Sequence, residues 1–247
     1  MDKQYRHEWK HEISFADLLT IRQRMKAVAE PDPHAEDGRY YIRSLYFDNL
    51  NDKALREKID GVNRREKWRI RYYNLDPHSV IHLEKKSRIN GLGTKYSETL
   101  TYEEAQRIVD GDIDWMMEER EPAVADTGRT TKDGKPGDNP KRPLLKELYC
   151  KMRYQGMRPR TIVDYTREPF IFGPGNVRVT LDYDIRTGLH STDFLNPDCV
   201  TIPAGDAPII LEVKWDDYLP SVIRGAVQLP GRRAAAFSKY AQCRIYG

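Results

Sequence analysis

Cysteine is nearly absent from this chain of 247 residues. Cys150, Cys199 and Cys243 are an odd number, widely spaced and without a CxxC pair. That excludes a disulfide framework and a cysteine zinc site, and it fits a reducing compartment. Long apolar runs are missing too. Stretches such as Ile209–Leu211 are far too short to span a bilayer, and the opening MDKQYRHEWKHE has no apolar segment of the signal-peptide kind. The expectation is a soluble, cytoplasmic protein. Net charge is likewise small: 41 Lys and Arg are nearly matched by 38 Asp and Glu, leaving +3. This argues against the basic coat of a general nucleic-acid binder. No phosphate loop of the G-x-x-x-x-G-K-[ST] pattern occurs, so the glycine pairs Gly91/Gly93 and Gly173/Gly175 read as turns.

Aromatics and strand patterns are plentiful. Fifteen Tyr, 6 Phe and 4 Trp argue against disorder. Strands are expected at about 4–13, 40–48, 65–74, 79–88, 94–101, 158–168, 176–186 and 207–215. Helical patterns fall between them: one opened by Ser14 and Asp17 as a capping box, then 102–110, about 143–154, about 218–228 and 232–242. The stretch 122–143, PAVADTGRTTKDGKPGDNPKRP, has almost no apolar content and reads as a flexible surface loop within one domain covering 1–247. About eight strands with mostly tight connections suggest an α+β fold: an antiparallel β-barrel with helices packed outside.

Each strand divides into an apolar and a charged face. In REKWRIRYY, Arg65, Lys67, Arg69 and Arg71 alternate with Trp68, Ile70 and Tyr72. Arg6, Glu8, Lys10 and Glu12 share a face, as do His82, Glu84 and Lys86; Tyr165 and Arg167; Arg178, Thr180, Asp182 and Asp184; and Glu212 and Lys214. Two arrangements satisfy this pattern. Either the charged faces look at bulk water, the usual case for one strand, or the apolar faces pack against helices and the charges line a lumen. The number of helices, and the mixed Glu, Lys and Arg on every strand, favour the lumen. Crowded cations there would be relieved by a polyanion such as a phosphate chain, with Arg binding oxygens in pairs and carboxylates holding a bridging divalent cation.

The segments YYIRSLYFD, KWRIRYY, LEKKS, DYTREPF, VRVTLDYDIRTG, PIILEVKW and AFSKY, in that order, resemble the catalytic domain of the vacuolar transporter chaperone (VTC) polyphosphate polymerases and their bacterial relatives. Glu8-x-Lys10 is similar to the second half of the E-x-E-x-K signature of the triphosphate tunnel metalloenzymes, with Arg6 in place of the first Glu. The resemblance implies transfer of the terminal phosphoryl group of ATP onto a growing inorganic polyphosphate chain in an antiparallel tunnel, with Mn2+ or Mg2+. Its partners would be ATP, polyphosphate and pyrophosphate or triphosphate. By position, Lys10, Arg69, Arg71, Lys86, Arg167, Arg178 and Lys239 would be the catalytic phosphate ligands. Lys95, Tyr165, Ser238 and Lys214 would add contacts. Glu212 would bind metal, with Glu8, Glu84 and Asp182 as further candidates. Two other functions fit the same residues: a triphosphate or nucleoside-triphosphate hydrolase of this fold, and a non-catalytic polyphosphate-binding module. Single-stranded nucleic acid is disfavoured because Trp68 and Tyr72 lie opposite the Arg face.

Overall fold

Strands and helices alternate along the computed structural model, which describes residues 6–90, 92–118, 142–206, 208–229, 231 and 237–245. Residues 122–141 of the expected loop lie outside the described residues, as do 4 and 5 of the first expected strand and 232–236 of the last expected helix. In chain order the elements are β1 His7–Ile13, α1 Phe15–Val28, β2 Glu30–Pro31, β3 Tyr40–Asp48, α2 Lys53–Ile59, β4 Arg64–Tyr73, β5 Ile81–Ile89, β6 Leu92–Leu100, α3 Tyr102–Asp110, α4 Pro143–Gln155, β7 Arg158–Phe172, β8 Val177–Thr187, β9 Ile202–Pro203, β10 Ile209–Trp215, α5 Ser221–Val227 and α6 Lys239–Cys243.

Local chemistry sets several of these boundaries. Ser14 and Asp17 form the expected capping box on α1, and Thr101 with Glu104 repeats it on α3. The Glu98 carboxylate, reaching from β6, accepts from the backbone N–H groups of Leu144 (2.7 Å) and Leu145 (3.2 Å) and so caps α4. Gly111 and Gly156 end α3 and α4 in the left-handed conformation. Helix α2 has no counterpart among the sequence expectations. Its N-cap residue Asp52 makes no side-chain cap; instead the Asp48 carboxylate at the end of β3 accepts from Ala54 (2.9 Å) and Leu55 (3.1 Å).

Eight strands pair antiparallel in the order β1-β10-β8-β7-β3-β4-β5-β6, and the short β2 and β9 pair with β7 and β8. The path ends at β1 and β6, so the expected barrel takes the form of a curled half-barrel, open along one seam among the described residues. On the convex side, Trp68, Ile70 and Tyr72, all fully buried, join Leu45, Leu83, Ile108 and Leu148 under α3 and α4. A second convex cluster places Leu18, Ile21 and Met25 of α1 and Ile223 of α5 on Val179, Leu181, Leu211 and Val213. These helices lie outside the sheet, as the alternation predicted. The concave side carries a smaller apolar cluster in which Tyr240 and Cys243 of α6 and Ala54 of α2 meet Ile42, Tyr46, Val163, Tyr165 and Ile210. Thus α2 and α6 fill one part of the concavity, and the rest is left to the charged residues.

One irregularity changes the phase of a strand. Asp164 pairs with Arg186 but Thr166 pairs with Tyr183, so β8 carries one extra residue here. That residue is Asp184, at φ 50°. Thr180 and Asp182 face the concavity before the bulge, and Ile185 joins its apolar cluster after it. Asp184 therefore leaves the charged face on which the alternation placed it, and is exposed beside Arg186.

Candidate active site in the concave face

Three buried carboxylates organise the concave charges, each held by cations from other strands. Glu84 of β5, 1% exposed, is paired by Arg69 through Nε at 2.6 Å and Nη2 at 2.5 Å, and by Lys95 of β6; Arg71 lies 4.0 Å away. The ladder registers Arg69↔Glu84 and Lys86↔Lys95 place these groups side by side on one face. Asp182 of β8 takes a two-pronged contact from Arg167 (2.6 and 2.7 Å) and one from Lys239 at the start of α6 (2.6 Å). Glu212 of β10 is paired with Lys214 and lies 3.8 Å from Lys10. Glu8 meets the same two lysines, at 2.7 Å from Lys10 and 3.9 Å from Lys214.

Tyr165 stands between two of these groups. Its hydroxyl accepts from Arg71 Nη2 at 2.9 Å, and Arg71, Arg167 and Lys239 all lie within 5.9 Å of its ring. Burial alone would raise the Tyr165 phenol, but Arg167, Arg71 and Lys239 outweigh it, and the net shift is downward. The carboxylates behave in the same way. Burial acts to raise Glu84, Asp182 and Glu212, but Arg69 on the first, Arg167 on the second and Lys214 on the third prevail, so all three stay ionised.

The lysines divide. Burial would lower Lys10, yet Glu212 and Glu8 raise it, so it is firmly charged. Lys86 reaches the water of the concavity, but it is hemmed in by protein, and crowding together with Arg69 and Lys214 holds it well below the ordinary lysine range. Lys67, directly across the ladder from Lys86, is pushed down to about 7 by burial and by the cations Lys58, Lys10, Arg65 and Arg69. The influence of Lys10 on β1 and Lys214 on β10 upon Lys86 on β5 means that the two halves of the curled sheet face one another.

All the expected phosphate ligands therefore lie on the concave face, although not at one point. Arg178 sits farther along, donating to Asp32 (3.0 Å) and to the Tyr40 hydroxyl (2.5 Å). Ser238 caps α6 and accepts from Lys67 at 2.7 Å. Alternation placed Lys67 on this face without giving it a role, and did not single out Ser44 or Tyr46. Ser44 accepts from Arg71 Nε (3.0 Å) and the Tyr46 hydroxyl from Arg69 (2.8 Å), contacts that the register Ser44↔Arg71 and Tyr46↔Arg69 creates. His7 stacks on Trp215 and has a packing role.

Among the described residues no three His, Cys, Asp or Glu side chains converge on a point that a metal could occupy. Glu84 and Asp182 are saturated by arginine and lysine. Glu212 and Glu8 share Lys10 and Lys214, and two carboxylates are a donor set that suits magnesium or manganese when substrate phosphates complete the coordination.

Ten cations (Lys10, Lys67, Arg69, Arg71, Lys86, Lys95, Arg167, Arg178, Lys214 and Lys239) thus share this face with five carboxylates (Glu8, Asp32, Glu84, Asp182 and Glu212). Sheet and charge together define a tunnel-type α+β half-barrel. The family model described as the VTC domain matches residues 5–245, and the chain belongs to that family. No curated protein matches it in sequence. Among solved structures, a "putative adenylate cyclase" from Bacillus halodurans is similar at 13% identity and TM-score 0.45, covering 87% of this chain and 82% of its own. Another of that description, from Vibrio parahaemolyticus, is similar at 9% identity and TM-score 0.43, covering 91% and 83%.

Proposed function

We propose that the protein is a polyphosphate polymerase that moves the γ-phosphoryl group of ATP onto the end of an inorganic polyphosphate chain. The observation that carries this reading is the convergence of Arg69, Arg71, Arg167, Lys239, Lys10 and Lys214 on one concave face whose carboxylates are too few to neutralise them. In the reaction, the bond between the γ-phosphorus and the bridging oxygen of ADP breaks, and a bond forms from γ-phosphorus to a terminal oxygen of the chain. Because that acceptor oxygen is already ionised at neutral pH, the protein needs no strong base; positioning and charge neutralisation suffice.

Arg71 and Arg167, both held against Tyr165, orient the equatorial oxygens of the transferring group, and Arg69 and Lys86 bind the neighbouring phosphates. Lys239, anchored by Asp182, fixes the far side. Glu212, with Glu8, would hold a divalent cation, which would supply further neutralisation of phosphate charge. Arg6 stands where a tunnel hydrolase would carry its first carboxylate, and it is paired with Asp216 at 2.8 Å. A metal-binding group is thereby lost, which favours phosphate over metal-bound water as acceptor.

The test is incubation of the purified protein with ATP and manganese, measuring long-chain polyphosphate and free phosphate together. Polymer is expected. Free phosphate alone would assign a hydrolase, and binding of polyphosphate without turnover would leave only a binding module. Arg71→Ala is expected to lower polymer yield at least about tenfold, the scale of one lost charge-assisted contact.

A further inference from the structure

Beyond the carboxylate-centred site, the same face of β4 and β5 continues outward as a ladder of cations. Lys67 stands directly across from Lys86, and one step farther Arg65 stands directly across from Arg88. Four strand steps separate Arg65 from Arg69, about 13 Å at strand rise. The two arginines line a cavity of about 730 Å³ together with Lys58, Ser238, Phe237, Ile59 and Ile245. Its lining contains no carboxylate. Among the described residues neither Arg65 nor Arg88 has a carboxylate at ion-pair distance, in contrast to Arg69, Arg167 and Lys239 inside. Arg65 does donate to the Val62 carbonyl at 2.6 Å. Like charges directly opposite on a ladder oppose folding, and Glu57 offsets the crowding at Arg65 only in part, since burial and Arg88 prevail there. A long polyanion lying across both would compensate the pair.

We propose that Arg65 and Arg88 form an outer anion-binding rung that makes the site select phosphate chains longer than a triphosphate. This rests on the phosphate-chain reading of the inner site. A triphosphate seated beside Arg69 and Lys86 ends short of the rung, whereas a long chain leaving that point runs past Lys67 and between the two arginines. Chain length, not phosphate chemistry, is what the rung detects. Phe237 and Ile59 in the lining offer a nucleoside base an alternative place, but the unbroken line of facing cations from Lys67–Lys86 to Arg65–Arg88, with Lys58 beside it, fits a continuous polyanion better.

The experiment is calorimetric titration of the full chain with tripolyphosphate, long-chain polyphosphate and ATP at one ionic strength, for the wild type and for Arg88→Gln and Arg65→Gln. Each variant is expected to bind long-chain polyphosphate about fivefold more weakly, the scale of one solvent-exposed charge contact, and tripolyphosphate as the wild type does. Melting temperature is expected to hold or rise for Arg88→Gln, since a repulsion is removed. Equal weakening for both polyphosphates, no weakening for the long chain, or weakening confined to ATP would each overturn the rung. A wild-type chain that binds neither polyphosphate would overturn the proposed function itself.

Discussion

Lys67 shows what a single residue contributes to the concave face. In the free protein its pKa is lowered to about 7, burial first and four neighbouring cations after it. A bound phosphate favours the charged ammonium, so above about pH 7 binding takes up a proton and affinity falls as pH rises. The same shift opposes folding: the unfolded chain protonates Lys67 below its ordinary value of 10.5, and the folded chain does not until about 7. The resulting loss of stability grows as pH falls through that window and is constant below it. Titrating tripolyphosphate in two buffers of different ionisation enthalpy at pH 8 should reveal proton uptake that Lys67→Met lacks; equal uptake in both proteins would refute the assignment. Glu84 is the opposite case. Glu84→Gln leaves Arg69, 8% exposed, without its carboxylate, and should cost about 3 kcal/mol in urea unfolding, near the low end for a broken buried pair because Lys95 is half in water. Saturating tripolyphosphate should recover part of that loss, and a variant as stable as the wild type would show that the pair contributes little.

At the scale of the element, sequence and structure agree where the signal is periodic. Trp68, Ile70 and Tyr72 are buried on the convex side and Arg69 and Arg71 face the concavity, because pleating alone assigns alternate residues to opposite faces. Ser14 and Asp17 cap α1 through contacts three residues apart, which a sequence displays directly. Helix α2 was not legible because its cap comes from Asp48 across a tight turn, and the partners of Arg69 and Arg71 were not because strand register is a property of the sheet. Turns tie elements as tightly. Gly175, between β7 and β8 at φ 73°, would place a Cβ 2.4 Å from the Tyr218 carbonyl oxygen. Gly175→Ala should therefore cost more than about 1 kcal/mol, from positive φ and the clash together, and a melting temperature equal to the wild type would count against this turn.

For the whole molecule, the central fact is that one continuous sheet underlies all three buried clusters. Strands β3 and β7 supply residues to both the convex and concave clusters, so neither side can be lost while the other stays intact. No helix among the described residues is long and apolar enough to cross a membrane. The proposal that the chain is one domain predicts a single cooperative transition, with tryptophan fluorescence and far-UV circular dichroism giving the same midpoint in urea. Two separated midpoints would divide the chain. The overall architecture was legible in the sequence because many strands repeat the same division of faces, whereas the open seam depends on which strands end the path and no local pattern encodes that.

The extra residue in β8 adds length to this strand without changing which side chains share its concave face. Asp184 works as a spacer: its side chain is half in water, and substitution by Gly, which tolerates φ 50° without strain, should leave ligand affinity and melting temperature as they are or raise the latter. Deleting it would leave Asp182, Ile185 and Thr187 on the concave side in plain alternation, with Tyr165 opposite Ile185 in an unbroken β7–β8 ladder, so a folded protein is expected. Expressing the two variants side by side should give two folded proteins that bind alike; an insoluble deletion variant would show that the local twist of the bulge, not the phase of the strand, is what the fold requires.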